Sequence, residues 1–131
     1  MSKAEIKIEF YNGEANFDTT LFHPGEVLNI GVTIYPEESF ECKNLYARLL
    51  WHTEGRGTRY KENVEEVVLF QGEFMNGMPQ TYECQFRLPE EPWSYDGYYI
   101  STIWKVEVQL DVAWALDPKE ARPFLLRPAG S

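Results

Sequence analysis

The side chains best suited to chemistry are few in this chain. Histidine occurs twice, at His23 and His52, and cysteine twice, at Cys42 and Cys84. His23 precedes Pro24-Gly25 and reads as a turn residue, while His52 falls on the outward parity of a strand beside Trp51. A catalytic triad or a His-rich metal site needs partners at recognisable spacing, and neither histidine has them. Cys84 falls on a buried parity. Cys42 becomes a nucleophile only with a base beside it, and a small buried thiol is the commoner use of such a residue. No Cys-x-x-Cys pair occurs, so a zinc or thioredoxin-type motif has no support. In a reducing cytosol both thiols are expected to be free.

Acidic residues pair at Glu37-Glu38, Glu65-Glu66 and Glu90-Glu91. Neighbouring side chains on a strand point to opposite faces, so these are not acid/base dyads. Glu90, Glu91 and Asp96 lack the register of a calcium loop. Gly55-Arg56-Gly57 lacks the Gly-Lys-Ser/Thr end and the following helix of a phosphate loop. The expectation is therefore no catalytic residue, no cofactor and no metal.

One segment departs from the acidic background. Residues 54–63, Glu54-Gly55-Arg56-Gly57-Thr58-Arg59-Tyr60-Lys61-Glu62-Asn63, carry three of the twelve basic residues and a tyrosine. The segment is expected to link a strand ending at Trp51 to one starting near Val64, and loops on a rigid scaffold are common recognition sites. Arg56, Arg59, Tyr60 and Lys61 are its candidate partner-binding residues, with an acidic or phosphorylated peptide as the chemistry that Arg56 and Arg59 would meet. A solvated loop is the competing reading. Aromatic residues suggest a second class. Trp51 and Trp104 lie on apolar parities and are expected in the core, whereas Trp93 and Trp114 lie near loops or strand ends, where exposed rings stack on sugars.

The composition narrows the function classes. Twelve Lys and Arg against 21 Asp and Glu give a formal charge of −9 over 131 residues. That balance argues against a phosphate-backbone binder, since nucleic-acid affinity comes mainly from cations, and against adsorption to anionic membranes. The length fits one domain, here read as residues 1–131, and the 44% apolar and 15% aromatic content supports a packed core. No apolar run approaches the ~20 residues of a membrane span, and the N-terminus shows no signal peptide. Cytoplasmic residence is the expectation.

The elements that position these residues are strands. Ile6, Ile8 and Phe10 alternate with charged residues, and Asn12-Gly13 marks a turn. Alternation recurs over Leu28 to Ile34, Leu45 to Trp51 and Tyr82 to Leu88. It is longest in the segment where Ile100, Trp104, Val106, Val108, Leu110 and Val112 face one way and Ser101, Lys105, Glu107, Gln109 and Asp111 the other. Glu66 to Phe74 reads as a strand with a bulge, Phe17 to Leu21 as a short strand, and Phe124-Leu125-Leu126 as a short edge strand between Pro123 and Pro128. No 3.6-residue period is visible. The total is roughly seven or eight strands, an all-β, Ig-like antiparallel sandwich.

Three stretches resemble the arrestin-like superfamily. Leu21-Phe22-His23-Pro24-Gly25-Glu26-Val27-Leu28-Asn29-Ile30-Gly31-Val32-Thr33-Ile34 is similar to an aromatic, a Pro-Gly-acid turn and a glycine-bearing strand. Phe86-Arg87-Leu88-Pro89-Glu90-Glu91-Pro92-Trp93-Ser94-Tyr95-Asp96-Gly97 resembles the family's Phe-x-Leu-Pro, a short gap, then Pro-x-Ser-aromatic-x-Gly. Ile103-Trp104-Lys105-Val106-Glu107-Val108-Gln109-Leu110-Asp111 resembles its long alternating strand, with Trp104 where tyrosine is usual. Order and spacing match the N-terminal half of an arrestin across most of the chain, and the second sandwich domain has no counterpart. The resemblance implies arrestin-type topology without receptor-type phosphate sensing. Bacterial sporulation-control proteins and the retromer arrestin-like subunit are two-domain members of this superfamily.

The combined expectation is a non-enzymatic protein–protein interaction or scaffolding module. The alternative is a small-ligand or carbohydrate-binding sandwich. The expected partner is another protein or peptide, or a second copy docking through a strand edge at Leu125.

Overall fold

Alternation in the sequence becomes alternation in burial. In β1 (Ala4–Phe10), Ala4, Ile6 and Ile8 are buried while Glu5, Lys7 and Glu9 are exposed. The same logic builds β4 (Val27–Pro36), β7 (Gln80–Arg87) and β9 (Ile100–Val112). The remaining strands are β2 (Glu14–Asn16), β3 (Thr19–Phe22), β5 (Phe40–Gly55), β6 (Lys61–Phe74), β8 (Tyr95–Asp96) and β10 (Lys119–Leu126). The computed structural model describes residues 3–57, 59–113 and 116–129, and these contain no helix.

Two sheets pack face to face. The smaller has the order β1-β4-β7; the larger runs β2-β3-β10-β9-β5-β6, with β8 paired to β9. Between them lie Leu28, Ile30, Val32, Ile34 and Phe86 from the small sheet and Leu45, Ala47, Leu49, Trp104, Val106, Val108 and Leu110 from the large one. Register explains the match: Leu45, Ala47 and Leu49 of β5 stand opposite Leu110, Val108 and Val106 of β9, so all six share the inner face. Phe10, Phe22 and Phe124 meet edge to face at 5.6–6.0 Å between centroids. Each such aromatic pair adds about 0.5–1.5 kcal/mol beyond its buried area. Trp104 has no exposed surface, and its Nε1–H donates to the Pro92 carbonyl at 2.7 Å. The Pro24-Gly25 turn holds Gly25 at φ +83°, which only glycine adopts without strain, and the Gly25 N–H donates to the Leu88 carbonyl at 2.9 Å.

Three expectations need correction. The described residues form ten strands, two more than the pattern reveals, because β2 and β8, of three and two residues, are too short to show a period. The sandwich is not wholly antiparallel, since β10 pairs in parallel with β3 at Leu125 and Leu126. Nor is β10 an edge strand: it lies inside the large sheet between β3 and β9, starts at Lys119, and pairs with β9 from Lys119 to Phe124. Pro123 is accommodated because β3 pairs only with Leu125 and Leu126, so at Pro123 just one flank is paired. The edges of the large sheet are β2 and β6.

The β5–β6 pairing is irregular, as the bulge expectation implies, with register shifts at Cys42/Leu45, Leu45/Tyr46 and Leu49/Leu50. The hairpin is tighter than expected: β5 continues to Gly55 and β6 begins at Lys61.

Candidate functional site: the outer face of the large sheet

Strand register determines which side chains meet on the outer face. Leu50 of β5 stands opposite Lys105 of β9, His52 opposite Ile103, and Glu54 opposite Ser101. Pro123 of β10 stands opposite Lys105 from the other side, and Lys61 of β6 opposite His52. Neighbouring strands are about 4.8 Å apart, so these residues form one surface. It has two parts, an apolar groove and a cationic depression, which share Glu54.

The groove has a volume of about 350 Å³. Ile103, Pro123, Phe124 and Leu125 supply apolar surface, and Tyr95 and Asp96 of β8 border it. Ser94 ties this border to β10: its N–H donates to the Leu126 carbonyl at 2.8 Å, and its Oγ accepts from the Leu126 N–H at 2.9 Å. Beyond Tyr95 the chain presents aromatic rings to solvent. Trp93 is 53% exposed, Tyr95 64%, Tyr98 91% and Tyr99 59%. The β5–β6 hairpin braces this rim. The Arg56 N–H donates to the Tyr99 carbonyl at 2.9 Å, and its guanidinium lies 5.7 Å from the centre of the Tyr99 ring. Gly55 makes the approach possible: at φ +132°, an added Cβ would collide with the Tyr99 carbonyl.

The depression, about 300 Å³, is bounded by His52, Glu54, Arg59, Lys61 and Lys105. His52 Nε2 is 2.8 Å from Glu54 Oε2, while its Nδ1 is buried without a hydrogen-bond partner among the described residues. Below it, Arg48 bridges Glu66 at 2.7 Å, Glu107 at 3.2 Å and Gln109 at 2.6 Å. This explains why Glu107, placed by alternation on the outward face, is only 7% exposed.

The sequence-nominated residues separate along the hairpin. Arg56 joins the aromatic rim, and Leu125 lies half-buried in the groove as part of an interior strand. Leu125 therefore offers no strand edge to a second copy. Arg59, Tyr60 and Lys61 all border the depression. Tyr60 between them turns its ring onto Trp51, 5.1 Å between centroids. Thr58 and Trp114 lie outside the described residues. Lys105, Tyr95, Tyr98 and Tyr99 were not nominated. The Tyr98-Tyr99 pair beside Gly97 was a legible sign of a solvent-facing aromatic turn, whereas Lys105 acquires its meaning only from cross-strand register.

The two thiols sit where burial lowers their reactivity. Cys42 is buried, Cys84 half-buried, and both are free. Burial pushes the Cys42 thiol up to about 11, and burial, with the nearby Glu65 charge, does the same for Cys84, also to about 11. Both are protonated and poorly nucleophilic near neutral pH. Among the described residues, no three His, Cys, Asp or Glu side chains gather into a metal-binding group, and no helix is long and apolar enough to cross a membrane.

No family model matches the chain, and no curated protein is similar to it. Among solved structures it is similar to the crystal structure of Spo0M, a sporulation control protein from Bacillus subtilis. The TM-score is 0.76 and the identity 12%, covering 97% of this chain and 50% of that one. The chain thus spans about half the length of that protein. With this likeness and the two packed sheets, the fold is an arrestin-like β-sandwich.

Proposed function

We propose that this domain is a non-enzymatic, cytoplasmic interaction module that holds a segment of a partner protein against the outer face of its large sheet. The observation carrying this reading is the groove of Ile103, Pro123 and Leu125, continued by the exposed rings of Tyr95, Tyr98 and Tyr99. Contiguous exposed aromatics beside an apolar groove mark interaction sites, because Tyr and Trp give large contact area at low entropic cost. Edge pairing with a second copy is less favoured. The β6 edge carries Glu62, Glu65, Glu66 and Glu73, and the chain's −9 charge opposes self-contact. The test is quantitative affinity capture from source cells with wild-type protein, Tyr95→Ser and Leu125→Ser, each variant checked by its melting curve. Loss of the same captured protein from both folded variants supports the reading; capture unchanged by both contradicts it.

One observation favours a carbohydrate or small-ligand reading: Ser94, Asp96, Ser101 and Thr102 line the groove beside Tyr95. Glycan-array binding abolished by Tyr95→Ser would support it.

A further inference from the structure

We infer that the segment seated in the groove carries an acidic side chain two residues from its apolar anchor, and that Arg59, Lys61 and Lys105 receive that acid. This deepens the proposed function and rests on it. The chain is acidic overall, yet three of its cations border one depression. Among the described residues, Arg59 and Lys105 have no ion-pair partner, and the third, Lys61, reaches Glu107 only at 3.9 Å. Of the acids nearby, Glu107 is ion-paired with Arg48, while Glu54, hydrogen-bonded to His52, is one negative charge against the three cations. The charge left over is positive, and it adjoins the apolar groove directly.

The spacing follows from strand geometry. Ile103 in the groove and Lys105 in the depression lie on the same face of β9, two residues apart, which is about 7 Å. An extended partner segment has the same two-residue repeat. With an apolar side chain over Ile103 and Leu125, its next side chain on that face falls near Lys105. Leu50, fully buried, stands opposite Lys105 in the adjoining strand, an apolar cross-strand neighbour of the kind a lysine stem covers. Three donors converging on one carboxylate, with the groove side covered by the bound segment, exceed the small worth of a single exposed ion pair.

The test is NMR titration of the ¹⁵N-labelled full chain, at constant ionic strength, with three capped extended peptides. The first has leucine and glutamate separated by one residue, the second replaces the glutamate with glutamine, and the third replaces the leucine with serine. Peptide is taken to about 10 mM, which reveals a Kd near about 1 mM. The first peptide is expected to shift residues of the groove together with Arg59, Lys61 and Lys105. The second is expected to bind about 10-fold more weakly. Arg59→Gln with Lys105→Gln should erase the preference for glutamate and leave the affinity for the glutamine peptide unchanged. Equal binding of the first two peptides, with shifts confined to the groove, overturns the acidic-segment inference and leaves the docking reading standing. Shifts at the cations alone, the same for leucine and serine peptides, overturn the groove reading and, with it, the coupled spacing inferred here. No localised shift with any peptide overturns both.

Discussion

The two faces of the large sheet are made from the same strands and differ in nearly every other respect. On the inner face, Leu45, Ala47, Leu49, Trp104, Val106, Val108 and Leu110 have no exposed surface and meet across register. On the outer face, one residue away in each strand, Arg48, His52, Lys105 and Glu107 mix with Leu50, Ile103 and Leu125. Charges there are held in pairs or left facing solvent. Strand alternation separates two tasks cleanly. Substitutions at inner positions act on folding, while those at outer positions act mainly on what the domain can hold. The exceptions are Leu50 and the Arg48–Glu107 pair, outer-face features buried deeply enough to bear on stability.

The largest expected effect belongs to the inner face. Trp104→Ala removes the largest fully buried side chain and a 2.7 Å hydrogen bond to Pro92, at an expected cost of about 3–5 kcal/mol. Urea denaturation should show a sharply lower midpoint, or no folded baseline; an unchanged midpoint would break the inner-face assignment. Arg48→Met comes next, at about 2–3 kcal/mol, because it leaves the Glu107 carboxylate largely buried with only the distant Lys61. Adding Glu107→Leu to Arg48→Met should recover part of that loss in the same assay.

The thiols give a smaller effect, with a definite pH window. Both pKa values rise from 9.0 to about 11 on folding, so the native state keeps protons that the unfolded chain releases. Their contribution is complete below pH 9 and is lost as pH rises from 9 toward 11. Melting temperature should fall across that window less steeply in Cys42→Ala/Cys84→Ala than in wild type. At pH 7.5, alkylation of the native protein should be slow compared with that of the denatured chain. The smallest effect sharpens the contrast between faces: Arg59→Gln and Tyr98→Ser should each change stability by no more than about 0.5 kcal/mol in the same urea assay.

Much of the inner face was legible in the sequence, since a buried strand face needs only an apolar residue at every second position. Trp104, Val106, Val108 and Leu110 follow that rule without interruption. The Pro24-Gly25 turn was equally legible, because a positive φ selects glycine. The outer face was read only in part. The residue types of the hairpin marked it as unusual, but the turn between β5 and β6 sends Arg56 to the Tyr99 rim and Arg59 to the depression, and Tyr60 packs its ring on Trp51. The place of Leu125 in the sheet was not legible, because pairing partners, unlike periodicity, are set by contacts distant in sequence. Nothing local to Phe124-Leu125-Leu126 says that Leu21 and Phe22 will pair beside it. Lys105 was hidden for the same reason, having no basic neighbour in sequence to mark it.

Hydrogen–deuterium exchange with and without a protein partner recovered by affinity capture tests the central claim most directly, because it maps the contact without presuming its chemistry. The account predicts that protection on binding concentrates in residues 52–56, 59–61, 93–105 and 123–127, with the small sheet unchanged. Protection centred instead on β1, β4 and β7, with residues 93–105 and 123–127 exchanging as in the free chain, would contradict it.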